Sequence, residues 1–208
     1  MTECVKGYVI TTMELLCLAS LKKMNKIYGF IFDESSSLKK NIHYALYTLA
    51  RRKNVYLDEH SNKIIICQEL NEIMEHLKVA NSIFDIKNCI NNERIILYKT
   101  KKNTVFLRQS PTKEGQLVIG VIPSNEIVDY LIEEGFIKDI IKNDVLDSEG
   151  EYENEIFGSV NEDRTLSIKK FNKECNIVGK IEIYETFIRN VTDDVDMLMS
   201  KENIERAL

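Results

Sequence analysis

The sequence contains no tryptophan, only two prolines, eight glycines and three histidines. Each shortage excludes something. The glycines stand at positions 7, 29, 115, 120, 135, 150, 158 and 179. That is too scattered for a phosphate-cradling loop, where close-spaced glycines let backbone N–H groups approach an anion. The five cysteines, Cys4, Cys17, Cys67, Cys89 and Cys175, lie far apart, are odd in number and form no C-x-x-C pair. Isolated thiols of this kind fit a reducing cytoplasm, with each side chain acting as a small buried hydrophobe. Residues 117–123 form the longest apolar run, well short of the ~20 residues of a membrane-spanning helix. No membrane insertion is expected. Glu3, Lys6 and Glu14 interrupt the first apolar stretch, so no Sec-type signal is expected either.

Catalytic groups are equally sparse. His43 and His76 fall in helical patterns and His60 in a polar turn, none of them within a metal or catalytic motif. The plain reading is surface or half-buried imidazoles. A Cys67–His76 nucleophile would have to assemble in space. Paired acids such as Glu133-Glu134 are abundant, but abundance alone does not make a perturbed pair in a cleft. The expectation is a non-enzymatic protein with no metal, no cofactor and no small-molecule substrate.

Charge is present but unevenly divided. Residues 1–80 hold 11 Lys+Arg against 9 Asp+Glu, a net of +2, and residues 81–208 hold 17 against 24, a net of −7. The acidic part repels a phosphate backbone, so nucleic-acid binding would fall to the near-neutral N-terminal part.

Periodicity supplies the elements. Thr11-Thr12-Met13-Glu14 reads as a capping box that opens a helix running to about Met24. Ser35-Ser36-Ser37 caps a second helix, carried by Leu38, Ile42, Ala45, Leu46 and Leu49 and ending near Asn54. Residues 55–57 and 64–66 flank a polar turn and read as a short hairpin, and a third helix is predicted over residues 68–84. From there the pattern becomes β-rich. Residues 95–100, 104–109 and 117–122 predict an antiparallel meander, followed by a helix over residues 125–134 that ends at Gly135. Residues 139–155 carry seven acids, and the second half of this stretch reads as a solvated, mobile loop. Residues 155–160, 165–171 and 176–181 predict further strands, residues 184–191 a helix, and residues 193–208 an acidic amphipathic tail, helical or frayed.

The fold class is therefore α+β: an N-terminal helical region with a short hairpin, and a central antiparallel sheet flanked by helices. One domain over residues 1–208 is expected, with residues 1–90 helical and residues 91–208 carrying the sheet.

Two function classes follow. The order helix, helix, polar hairpin, helix, with Arg51-Arg52-Lys53 ahead of the hairpin, suits a winged-helix DNA-binding regulator. Its would-be reading helix has few side chains able to reach base edges. The meander suits a protein-binding surface instead. Ile95, Leu97, Val105, Leu107, Leu117, Ile119 and Val121 are assigned to one face, and Ile96, Tyr98, Phe106, Val118 and Ile122 to the other, so both faces are apolar. Either the chain sandwiches this sheet between its own helices, or a partner covers one side. On the second view, Tyr98, Phe106, Arg108 and Phe136 are the candidate contact residues.

The start Thr12-Met13-Glu14-Leu15-Leu16-Cys17-Leu18-Ala19, the passage Leu46-Tyr47-Thr48-Leu49-Ala50-Arg51-Arg52-Lys53, and the segment from Ile181 to Arg189 resemble the EspG-like and EsaE-like cytosolic chaperones of type VII secretion. The resemblance lies in the order and pattern of elements along most of the chain. It implies a cytoplasmic, cofactor-free adaptor that binds a helical-hairpin secretion effector through a central sheet and neighbouring helices. The chain is shorter than the longer relatives and more acidic over residues 144–155, which departs from the family pattern.

Overall fold

The computed structural model describes residues 7–30, 36–137, 164–174, 176–184, 187–191, 195–198 and 201–208. The expected Ser35 cap, the acidic loop at 139–155, the strand at 155–160, Cys4 and Cys175 lie outside them. In chain order the elements are β1 (Tyr8–Thr11), α1 (Thr12–Leu21), α2 (Ser36–Arg51), β2 (Val55–Asp58), β3 (Lys63–Ile66), α3 (Gln68–Val79) and β4 (Ser82–Asn88). Then come β5 (Arg94–Lys99), β6 (Asn103–Gln109), β7 (Gln116–Pro123), α4 (Ile127–Glu133), β8 (Arg164–Asn172), β9 (Ile177–Tyr184), β10 (Phe187–Asn190), β11 (Val195–Leu198) and α5 (Lys201–Ala207). The α+β class is as expected, with helices flanking a large antiparallel sheet.

The sheet has nine strands in the order β1-β7-β6-β5-β4-β8-β9-β10-β11, and β2-β3 stands apart as a two-stranded ribbon. It consists of two four-stranded meanders, β4 to β7 and β8 to β11, joined where β4 pairs with β8 with Phe84 opposite Lys170, and β1 is added beyond β7. The expected three-stranded meander is its interior, which explains why both of its faces are apolar. Two cores result. Ile96, Tyr98, Val105, Leu107 and Ile119 pack against residues of α1, α2 and α3, and Phe84, Leu97, Phe106 and Ile122 pack against residues of α4 and α5.

The observed faces differ from the expected ones at β5. Lys99 pairs with Thr104, so Leu97 stands opposite Phe106 and Ile96 opposite Leu107. Odd residues of β5 thus share a face with even residues of β6. The length of the Thr100–Lys102 turn sets this parity, and a single-residue change of register turns every side chain over.

Two further corrections concern element type. Residues 82–88 form β4, which ends α3 earlier than predicted. Ile83 and Phe84 continue the apolar spacing of the helix, yet they face opposite cores from a strand buried on both sides. Of residues 184–191, expected as a helix, Tyr184 ends β9 and Phe187–Asn190 form β10, where Ile188 pairs with Ile183. The β-branched residues Ile181, Ile183 and Ile188 favour extended chain. The tail expected as helical or frayed contains β11 before α5.

The capping box at α1 forms as predicted: Thr11 Oγ1 accepts from the Glu14 N–H at 3.1 Å, and the Glu14 carboxylate accepts from the Thr11 N–H at 2.8 Å. Glu14 is buried. Its other oxygen accepts from the Thr48 hydroxyl at 2.6 Å and pairs with Arg52, whose second Nη donates to the Val9 carbonyl at 2.8 Å. One carboxylate therefore ties β1 and α1 to α2.

Gly135 ends α4 with φ +73°, and the next two backbone N–H groups reach back to the Leu131 carbonyl at 2.8 and 3.1 Å. A Cβ at this position would meet nothing within 4 Å. Gly135→Ala therefore isolates the left-handed backbone penalty, expected at about 1–2 kcal/mol and read as a lower denaturation midpoint. An unchanged midpoint would show that the turn relaxes out of this conformation.

Candidate protein-binding surface

Three of the four expected contact residues belong to the cores. Tyr98 is buried against the layer of α1 to α3, and its hydroxyl donates to the Tyr28 carbonyl at 3.0 Å. Phe106 is 2% exposed on the opposite face, with its ring centroid 4.9 Å from that of Tyr130. Phe136 packs into the same core just beyond Gly135. Arg108, half-buried, pairs with Glu134 of the α4 C-terminus. The four residues do not share a face, and Tyr98, Phe106 and Phe136 offer no surface to a partner in this structure. The chain's own two helical layers cover the apolar sheet that suggested them.

The expected chemistry does not assemble either. Cys67 caps α3 and His76 follows nine residues later, roughly 13 Å along the axis at 1.5 Å per residue. His76 Nε2 lies 3.0 Å from the Asn103 amide. His43 and His60 are exposed. Among the described residues no group of three His, Cys, Asp or Glu side chains could hold a metal ion. A concavity of about 480 Å³ at the ends of β5 to β7 is lined by Arg94 and Arg108; Arg94 pairs with Asp85 and Arg108 with Glu134, while among the described residues the buried Arg108 Nε has no hydrogen-bond partner.

Exposed apolar side chains concentrate in α2 and the ribbon. Ala45 and Leu49 bury the inner side of α2. On its outer side Tyr44, Tyr47 and Arg51 recur at helical spacing, and the tyrosines are 70% and 61% exposed. Beyond α2, the ribbon begins after three intervening residues. Val55 and Ile66 pair and are buried, which anchors it to the α1–α3 core. The next pairs overhang: Tyr56 opposite Ile65, and Leu57 opposite Ile64. Successive strand residues point to opposite sides, so both sides of the overhang carry large apolar groups, with Tyr56 54% and Leu57 57% exposed.

The polar turn holds this shape. Asp58 accepts from the Ser61 hydroxyl at 2.5 Å and the His60 N–H at 3.3 Å, and the Ser61 bond, the larger cause, lowers the Asp58 pKa with help from His60. Asn62 takes φ +52°, a left-handed position that asparagine tolerates. Exposed cations adjoin these groups along the chain, Arg51 at the end of α2, Lys53 beside it and Lys63 on β3, the last paired across the ribbon with Asp58. Sequence reading placed this hairpin correctly but treated it as a wing. The signal that could have marked it is the run Lys63-Ile64-Ile65-Ile66, which has no alternation and so cannot hide all of its apolar residues in a two-stranded ribbon.

No family model matches the chain, and no curated protein matches it closely enough to serve as a relative. Among the described residues, no helix is long and apolar enough to cross a membrane.

Proposed function

We propose that this protein is a non-enzymatic adaptor or chaperone that binds an acidic amphipathic helix of another protein on the outer stripe of α2 and the overhang of the β2–β3 ribbon. The observation that carries this reading is the ribbon, which is apolar on both sides beyond its anchoring pair. A two-stranded ribbon is marginal alone, and exposed apolar groups gathered in one place mark interaction sites. The occupant follows from charge. Exposed Arg51 and Lys53 adjoin the apolar groups along the chain, so a helix burying its apolar stripe here would set acidic flanks against them. The resemblance to the EspG-like and EsaE-like chaperones agrees with a helical secretion substrate met in the cytoplasm.

Capture from the organism's own cytosol with the wild-type chain, compared with Leu57→Asp, Tyr56→Ala and a Val178→Asp control on β9, tests the reading. A captured protein is expected to be lost with Leu57→Asp and kept with the control. In purified form it is expected to lose about 2 kcal/mol, roughly 30-fold in affinity, with Tyr56→Ala. Photocrosslinks from position 57 are expected to land on an acidic helical segment of that protein. Thermal melts should not move, because the substituted side chains are exposed. Capture indifferent to Leu57→Asp, or crosslinks onto a segment of another kind, would overturn the site. Association that falls steeply with salt and needs nucleic acid would favour the winged-helix alternative.

A further inference from the structure

On the α4–α5 face, Phe84 of β4 is enclosed by two lysines. Lys170, directly across the β4–β8 pairing, places its ammonium 5.3 Å from the ring centroid, and Lys99 of β5 places its own 6.0 Å away. Both side chains are half-buried. Attraction to a ring face stabilises a cation by about 0.5–2 kcal/mol, depending on desolvation. It does not cancel charge, and one ring here carries two cations. Among the described residues neither lysine has a carboxylate within ion-pair distance, whereas Lys22, Lys180 and Lys201 each have one.

A like-charged, half-buried pair is costly unless something neutralises it. The Lys99 pKa is lowered, by burial first and by Lys170 second. Lys99 also lines a concavity of about 330 Å³ with Ser124, Asn125, Ile127, Val128, Glu205 and Leu208. The Ser124 hydroxyl is engaged by Thr104 and the Thr100 carbonyl. Two acids belong to this wall, the Glu205 side chain, which stands 4.0 Å from Lys201, and the terminal carboxylate of Leu208.

We propose that Lys99 and Lys170, presented over the Phe84 ring, form a binding site for a small polyvalent oxyanion of the phosphate type. Each ammonium offers three donors without a fixed direction, so one compact anion between them takes hydrogen bonds from both and replaces mutual repulsion with attraction to each. The recess of the two side chains favours a compact anion over a broad acidic surface. The site is separate from the α2–ribbon surface and does not rest on the adaptor reading.

Titration of the full chain with inorganic pyrophosphate, followed by calorimetry and by the NMR signals of the lysine ammonium groups, tests this. Saturable binding is expected, with the Lys99 and Lys170 signals shifting together. Lys99→Met and Lys170→Met are each expected to weaken binding at least tenfold, Lys99→Arg to retain most of it, and Lys101→Ala, an exposed lysine of the next turn, to leave it unchanged. Thermal melts without pyrophosphate should hold or rise in the methionine variants, since each removes the repulsion. Absence of saturable binding, or equal weakening by Lys101→Ala and Lys99→Met, would overturn the proposal in favour of diffuse attraction to surface lysines.

Discussion

Phe106→Ala is expected to destabilise the protein by about 3–5 kcal/mol, read as a lower denaturant midpoint at an unchanged slope. Phe106 is fully enclosed, stands across from Leu97 on one neighbouring strand and Gly120 on the other, and packs on Tyr130. Gly120 has no side chain to move into the space that alanine leaves. The cavity therefore stays open, and its walls lose their contacts outright. Leu57→Ala, an exposed change of similar chemistry, is expected to stay within about 0.5 kcal/mol. The pair of variants separates the two roles an apolar residue can have here. A stable Phe106→Ala protein that no longer bound its partner would return the docking surface to the sheet face and away from the ribbon.

Glu14→Gln is the second large effect. Burial alone would raise the Glu14 pKa. The hydrogen bonds from Thr48, the Thr11 backbone and Arg52, with the attraction of the Arg52 charge, outweigh it and hold the pKa below its ordinary value of 4.5. Removing one member of a buried charge pair costs about 3–5 kcal/mol; in glutamine one oxygen still accepts, while the other position becomes an NH2 group facing donors. Arg52 is partly exposed, which places Glu14→Gln toward the low end and makes Arg52→Ala, which strands the buried carboxylate, the more damaging change.

The pH dependence has a definite sign. A carboxylate whose folded-state pKa is depressed stabilises the fold fully above its unfolded value and loses that contribution as pH falls through the folded value. The wild type is therefore expected to lose stability relative to Glu14→Gln as the pH drops below about 4.5, the ordinary value. Parallel pH profiles for the two proteins would remove Glu14 from the account of acid sensitivity.

How far the fold was readable from the sequence depends on where each element's partners lie. The capping box at Thr11 and Glu14, the ribbon at Val55–Ile66, the meander and the Gly135 stop are local patterns, and each is formed by neighbours along the chain. Ser82, Ile83 and Phe84 were misread as helix, and the rest of β4 was left unassigned, because apolar residues on both sides of a buried strand mimic the continuation of a helical stripe. Residues 184–191 were misread because their strand partners, β9 and β11, supply the hydrogen bonds that decide the state. The reversed face of β5 is one residue of turn length.

The candidate site was less legible than the fold. Tyr98, Phe106 and Phe136 were chosen for a true feature, the two-sided apolar sheet, but the sheet is an interior layer and its second cover comes from the same chain. The exposed groups are at Tyr44, Tyr47, Tyr56 and Leu57 instead, and nothing in their own residue types distinguishes them from core. Phe84, Lys99 and Lys170 are distant in sequence and meet only because β4 lies between β5 and β8.

The sequence by itself determined the α+β class, the charge division, the capped start of α1 and the shape of the ribbon, because short-range backbone chemistry and side-chain period act within a few residues. Only the tertiary structure decided which apolar residues face water and which unpaired charges converge. Exposure and charge environment are properties of all the surfaces around a residue, and here those surfaces come from strands and helices far apart along the chain.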